Sequence, residues 1–444
     1  MKLNGVKRIP SSLVACLVNG EEVQITELAY EGFSFRTAGE LPNITRIELH
    51  FFHFADSNYQ LELLTSYTMK QERNRFGISY TILTEQAGYK AQTASLLRDY
   101  SNYISLKMMG DDSHLSEQMV NYPAQEDNYF HTSLEEQKHE WFQGLEKIEY
   151  QVNHDYELAI SIDNYVSYQK YLESDIQQYY EQLLETHNLQ NHPLFKRNPT
   201  RLYIGNQFCH NLLPTYKLFR RIMDKANQEK LAITLEFPYL RDELLVETSE
   251  LLNEIYHDQK TQGEPIEIIV NDWGMLTLLQ DKTDFFILNL GILLNKRRKD
   301  PRFQYKHGWS ENVDNLAENN LNGAKFYHFL KDDWKITRFE QESCGYPFHV
   351  PKGKNSLSIP FYQTNTSQFC TMYAKCSTGE RGNQKLVAAC PRYCEETAYL
   401  YPKHLKMIGK YNSLFAYDDS ILRDANLMEY YLENGIDRIA LKLL

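Results

Sequence analysis

No stretch of about eighteen apolar residues, the length a membrane-crossing helix needs, interrupts the 444 residues of the chain. Its opening residues, Met-Lys-Leu-Asn-Gly-Val-Lys-Arg, lack the apolar core of a secretory signal. The expectation is a cytoplasmic protein with no membrane partner. Positive charge is also short: the net charge of −12 argues against a broad, non-specific nucleic-acid surface and leaves room only for a local basic groove. A disulfide framework is not indicated either, because the seven cysteines are odd in number and unevenly spread, a pattern that points to metal binding or free thiols. No His-Glu-x-x-His pair and no Gly-x-Ser-x-Gly elbow occur, so neither a zinc protease helix nor a serine nucleophile turn is indicated.

What the chain does have is a concentration of thiols. Four of the seven cysteines, Cys370, Cys376, Cys390 and Cys394, fall in one short window, with five, thirteen and three residues between successive members. Soft thiolates gathered this way bind Zn²⁺ or an iron–sulfur cluster. The spacing is not the two-residue spacing of zinc ribbons, which favours the cluster and keeps zinc as the alternative. Cys16 and Cys344 have no such company and read as structural. The histidines, among them His114, His131, His139, His154, His187 and His192, are scattered without metal-ligand spacing. Tyrosine is abundant, and Tyr165, Tyr168, Tyr171, Tyr179 and Tyr180 read as helix-face aromatics with wet hydroxyls.

At roughly 150 residues per domain the length predicts two or three units. Residues 1–95 show short β-rich runs at Leu13–Val18, Glu22–Leu28, Gly32–Arg36, Arg46–Phe54, Tyr59–Met69 and Arg75–Leu83. Asn19-Gly20 marks a hairpin turn, and the set predicts a small closed β-barrel. Residues 96–199 read as a helical connecting region. From residue 200 to 444 strands and helices alternate: Arg201–Ile204, Leu231–Glu236, Ile266–Val270 and Phe285–Leu290 are strands with helices between them, and Leu414–Tyr417 and Ile436–Leu441 close the series. That alternation predicts parallel βαβ units and an α/β architecture, a TIM-like (β/α) barrel whose chemistry lies at the carboxyl ends of its strands. Two candidate catalytic carboxylates stand there. Glu236 follows one strand, and Asp272 follows another but also precedes a helix, whose N-cap it can be.

Two resemblances follow from particular residues. Glu27-Leu28-Ala29-Tyr30-Glu31-Gly32, with the strand order around it, resembles the turn of a PilZ domain, the bacterial module that often binds cyclic di-GMP; only Gly32 matches it cleanly, and Lys7 and Arg8 are adjacent where that family spaces its arginines. The second covers residues 200–444. Leu202-Tyr203-Ile204-Gly205, Val270-Asn271-Asp272-Trp273-Gly274, the run from Leu290 to Arg302, the cysteine cluster and Gly435-Ile436-Asp437-Arg438-Ile439 together resemble the U-thirty-two peptidase family, often labelled collagenase-like protease.

That resemblance implies a TIM-like barrel with a four-cysteine [4Fe–4S] cluster and a hydroxylase or RNA- or small-molecule-modifying activity, with peptidase activity as the alternative. It implies metal ligands among Cys209, Cys370, Cys376, Cys390 and Cys394, with Cys209, Cys370, Cys390 and Cys394 preferred and Cys376 the substitute. The substrate would be RNA, a small aromatic or a peptide. Lys296, Arg297, Arg298, Lys299 and Arg302 are then candidate phosphate contacts, or else a solvated basic loop. A non-enzymatic signalling protein built on the PilZ-like module is the third reading.

Overall fold

In the computed structural model the described residues are 3–7, 13–41, 43–53, 58–74, 77–108, 128–261, 264–301, 317–378, 385–401 and 406–444. Arg8, Arg302, His114 and the turn between Cys376 and Cys390 fall, wholly or in part, outside them. The chain divides into two compact units, one formed mainly by residues up to Leu134 and the other chiefly by those from Glu135 onward. No helix among the described residues is long and apolar enough to cross a membrane.

The first unit is a seven-stranded antiparallel sheet of β1 (Val14–Val18), β2 (Glu21–Ala29), β3 (Gly32–Thr37), β4 (Ile47–His53), β5 (Asn58–Leu64), β6 (Thr68–Asn74) and β7 (Gly77–Leu83), in the order β5–β4–β1–β2–β3–β7–β6. The expected hairpin forms: Asn19 and Gly20 both adopt positive φ, the signature of a two-residue primed turn. The single run read at Tyr59–Met69 is two strands broken by a turn. The expected closure into a barrel is not seen, for no β5–β6 pairing occurs among the described residues. Instead β2, bulged between Ile25 and Glu27, pairs with β1 by one half and β3 by the other. The helix Ala87–Met108 drives Tyr89 and Leu96 into the core between the two halves. Gly32 has a packing reason of its own, since a Cβ there would lie 1.9 Å from the Ile82 carbonyl oxygen.

The second unit is built on a closed, eight-stranded parallel barrel. Its strands are β8 (Glu157–Ile162), β9 (Arg201–Gly205), β10 (Ala232–Glu236), β11 (Ile266–Val270), β12 (Phe286–Leu290), β13 (Arg338–Glu342), β14 (Lys354–Thr366) and, after β15 (Tyr399–Leu400), β16 (Met407–Lys410) and β17 (Ser413–Tyr417), the closing strand β18 (Ile436–Lys442). Each pairs in parallel with the next, β13 with β14, β14 with β18, and β18 back onto β8. Helices Tyr165–Glu173, Ile176–Thr186, Tyr216–Gln228, Leu245–Lys260 and Trp273–Leu279 connect the strands from β8 to β12. The barrel therefore begins at Glu157, inside the region read as a helical connection. Strand β14 continues past the rim and pairs antiparallel with β17, which pairs with β16. Of the tyrosines expected on helix faces, Tyr168, Tyr171, Tyr179 and Tyr180 are buried and Tyr165 is half-buried, and hydroxyls expected to be wet are bonded within the protein: Tyr168 donates to Leu212 O at 2.9 Å, Tyr171 to Glu229 at 2.6 Å and Tyr180 to Phe195 O at 3.0 Å.

The barrel interior is charged as well as apolar. Ala159, Tyr203, Ile269 and Ala440 form a small apolar plug. On the amino-terminal side of it, Arg438, 1% exposed, grips Glu267 with both terminal nitrogens at 2.6 and 2.9 Å and Glu157 through Nε at 2.5 Å. Arg201 adds a 2.8 Å bond to Glu157, and Arg338 holds Asp437 bidentately at 2.6 and 2.9 Å. Burial alone would raise the Glu267 carboxyl, but Arg438, Arg201 and Arg338 overcome it and hold the group down at about 2.

Two expectations follow. Arg438→Met leaves the buried Glu267 and the half-buried Glu157 beside too little positive charge and is expected to destabilise the barrel by about 3–5 kcal/mol in denaturant unfolding. A depressed carboxyl gives stability that is complete above its unfolded pKa and is lost as the pH falls toward its folded one. For Glu267 the acid limb runs from pH 4.5 down to about 2. Glu340, which burial pushes up to about 7, has its linkage above that window. Glu267→Gln is therefore expected to flatten the pH dependence of unfolding specifically below pH 4.5.

Candidate functional site

Four of the five predicted thiols meet at the carboxyl-terminal rim of the barrel. Cys209 stands just beyond β9, at the start of the short turn His210–Leu212. Cys370 immediately precedes the helix Thr371–Thr378, beyond the end of β14, and Cys390 and Cys394 follow on the same excursion before the chain returns through β16 and β17. Their mutual proximity shows in their acidities. Burial pushes the Cys209 thiol up to about 12, with Cys370 and Cys390 adding to the rise. Burial likewise raises Cys394, and Cys209, Cys370 and Cys390 all contribute. Cys370 is raised by burial and by Cys390. Cys376 is exposed, near the end of the helix that follows Cys370. Cys16 and Cys344 are buried singly in cores, as expected.

Backbone donors already point at the sulfurs. The Tyr373 N–H donates to Cys370 Sγ at 3.3 Å and the Arg392 N–H to Cys390 Sγ at 3.4 Å, the bonds that stabilise thiolate character. Arg392 reaches its position in the left-handed region, with φ 62°. Its guanidinium lies 4.1 Å above the Tyr165 ring and 3.3 Å from Glu395, while Glu395 accepts the Tyr165 N–H at 2.8 Å. The Cys390–Cys394 turn is thereby fastened to the helix that follows β8.

Asn206 and Asn412 hold the remaining loops in register. Asn206 Oδ1 accepts the N–H groups of Phe208 and Cys209, both at 2.8 Å. Asn412 Nδ2 donates to Phe208 O at 2.8 Å, to Ser367 O at 2.7 Å and to the Tyr239 hydroxyl at 3.2 Å, joining the Cys209 loop, the Cys370 loop and the segment after β10. Arg241 Nη1 donates to Gln368 O at 3.0 Å and lies 5.1 Å from the Phe369 ring centre. Burial and the neighbouring Arg241 push His210 down to about 4, so it is neutral near pH 7. None of Asn206, Tyr239, Arg241 or Asn412 was expected from the sequence. The only local signal is that Asn206 precedes Cys209 by three residues and Asn412 sits in a two-residue hairpin turn.

The two predicted carboxylates are placed differently. Glu236, 1% exposed, pairs with Lys442 at 2.5 Å and accepts from Ser161 at 3.0 Å and Gln207 at 2.7 Å. Asp272 caps its helix, accepting the Met275 N–H at 2.9 Å, and also accepts the Leu240 N–H. In the basic run Arg297 lies 4.1 Å from the Phe348 ring centre and donates to Glu342 O, and Lys299 pairs with Glu342; Lys296 and Arg298 are the exposed members. His154 does meet carboxylates in space. With Glu429 and Glu433 it forms the one group of three or more such ligand atoms within 4.8 Å of one another among the described residues, and its Nδ1 is 2.7 Å from Glu429.

Beside the thiols, at the ends of β8 and β18, a cavity of about 430 Å³ is lined by Asp163, Asn164, Lys410, Lys138 and His187, with Leu183 and Leu443 on its apolar side. Burial pushes Asp163 up to about 6; the Tyr411 hydroxyl, donating at 2.8 Å, opposes the shift and Glu236 adds to it.

Exposure and the raised pKa values of the buried thiols together set an order of reactivity, because the thiolate is the nucleophile. Limited iodoacetamide treatment of the native, metal-free protein, followed by mass spectrometry, is expected to label Cys376 first. Cys390 and Cys370 should follow, and Cys209, Cys394, Cys16 and Cys344 should react only on unfolding. The chain matches no protein-family model, no curated protein and no solved structure.

Proposed function

We propose that the chain is an iron–sulfur-dependent redox enzyme of the U-thirty-two peptidase type, its barrel TIM-like and its amino-terminal sheet a PilZ-like module. The reading is carried by one observation: Cys209, distant in sequence, joins Cys370, Cys390 and Cys394 at the rim of the barrel. These four would hold a [4Fe–4S] cluster, with Cys376 outside the set. Such a cluster supplies one-electron chemistry whose potential follows burial and hydrogen bonds to sulfur.

The donor set fits. Four thiols lie close enough at the rim to influence one another's protonation, and two already accept backbone N–H groups. The gaps of five, thirteen and three residues in the Cys370–Cys394 window, unlike the two-residue spacing of zinc ribbons, favour a cluster over zinc. A hydroxylation or related modification of a small molecule is favoured over RNA as substrate, since Arg297 and Lys299 turn toward Phe348 and Glu342. Glu236 and Asp272, each engaged by neighbours, are assigned to holding the rim rather than to bond breaking. Cyclic di-GMP binding by the amino-terminal unit is not part of this reading, because the Lys7 segment, whose backbone pairs with Leu28, offers no spaced arginine pair.

The test is metal content and absorbance after oxygen-free purification. The expected result is about four irons and four sulfides per chain with a broad band near ~400 nm. Each of Cys209→Ser, Cys370→Ser, Cys390→Ser and Cys394→Ser should lose most of both, and Cys376→Ser should keep them. A colourless protein carrying zinc, or equal loss in Cys376→Ser, would overturn the assignment.

A further inference from the structure

The 430 Å³ cavity at the ends of β8 and β18 contains an amine that makes no direct hydrogen bond or ion pair among the described residues, although Asp163 and Glu395 also line the cavity. Lys410, half-buried as a residue, has its amine enclosed there, and burial lowers its pKa. No hydrogen bond or ion pair engages that amine among the described residues. An enclosed ammonium without a partner is costly, and such groups are ordinarily paired.

The other charges around the cavity are committed elsewhere. Glu395 accepts the Tyr165 N–H and pairs with Arg392. Lys138 pairs with Glu135 at 3.2 Å, and Asp163 accepts from the Tyr411 hydroxyl at 2.8 Å and the Asn164 amide at 2.8 Å. Burial keeps His187 on the neutral side by lowering its pKa, and its Nδ1 lies 2.9 Å from Leu183 O. Glu185 and Lys170 are exposed at the rim, opposite in sign. Lys410 is left as the cation with no hydrogen bond or ion pair among the described residues, in a space within the range that small ligands occupy; Leu183, Leu443 and Leu444, the last with its main-chain carboxylate, also line it.

We infer that this cavity is a binding site for a small organic anion, its carboxylate or phosphate head on the Lys410 amine and its apolar tail against Leu183 and Leu443. The head group would also lie near the thiols, since Lys410 feels Cys394 as well as Asp163. The pocket stands whether or not those thiols hold iron.

Calorimetric titration of the full-length, metal-free protein separates the possibilities. Hexanoate, inorganic phosphate and the neutral hexanamide serve as probes. Saturable binding of hexanoate or phosphate is expected, with hexanamide at least about ten-fold weaker, and Lys410→Met is expected to cost about ten-fold or more in affinity, the range of a charge-assisted hydrogen bond. Tighter hexanoate than phosphate identifies a carboxylate site and the reverse a phosphate site. Should Lys410→Met not fold, acetylation footprinting of the wild-type chain replaces it, and the bound anion should protect Lys410 while Lys170 stays reactive. Equal affinity for hexanamide, an unchanged affinity in Lys410→Met, no binding of either anion, or no protection of Lys410 would overturn the inference.

Discussion

The second unit depends on how its ring of strands is shut. Parallel strands cannot be closed by a hairpin, so β18, last in the chain, must find β8, separated from it by nearly the whole barrel. Arg438 makes that pairing specific. Its side chain reaches the half-buried Glu157 on the strand it joins and the buried Glu267 on the strand across the interior, so a slipped register would leave both carboxylates without it. A one-residue slip also turns every inward side chain outward. Buried ion pairs of this kind add little net stability compared with a well-packed apolar core. What this network contributes is the choice of one closure among many.

The charged interior also explains which strands could be read from the sequence. Ile266–Val270 and Phe286–Leu290 are apolar runs each interrupted by a single polar residue, Glu267 and Asn289, and announce themselves as buried parallel strands. Arg338-Phe-Glu-Gln-Glu reads as an exposed segment, because its arginine and glutamates point into the barrel and their partners lie far away in sequence. Lys354–Thr366 is obscured in the same way by Asn355, Ser356 and Ser358, all buried. Glu157–Ile162 was lost among neighbouring helices. The thiol site was more legible: sulfur is rare, so the Cys370–Cys394 window stands out. The residues that position those thiols, Asn206 and Asn412, were invisible, since asparagine is a common turn residue and only three-dimensional contact distinguishes a bridging amide from an ordinary one.

Rigidity at the rim comes from two devices of different kinds. The Arg392, Tyr165 and Glu395 contacts fasten one turn to a helix through charge and ring stacking, and the Asn412 amide ties three loops through neutral hydrogen bonds. Neither requires a ligand to form. The thiols are thus pre-positioned by ordinary polar contacts, with raised pKa values that keep Cys209 and Cys394 protonated until something takes the proton away.

The split origin of the four thiols has a consequence in time. Cys209 leaves the ribosome early and its three companions late, with the strands from β10 to β14 between them. A nascent chain therefore carries Cys209 without its three companions while more than a third of the sequence is made, and cannot present a four-point seat until the excursion beyond β14 has emerged and folded back. Whatever occupies that seat arrives at a nearly finished barrel, and a chain truncated between Cys394 and β16 would have the four thiols but lack the Asn412 bridge that joins the Cys209 and Cys370 loops.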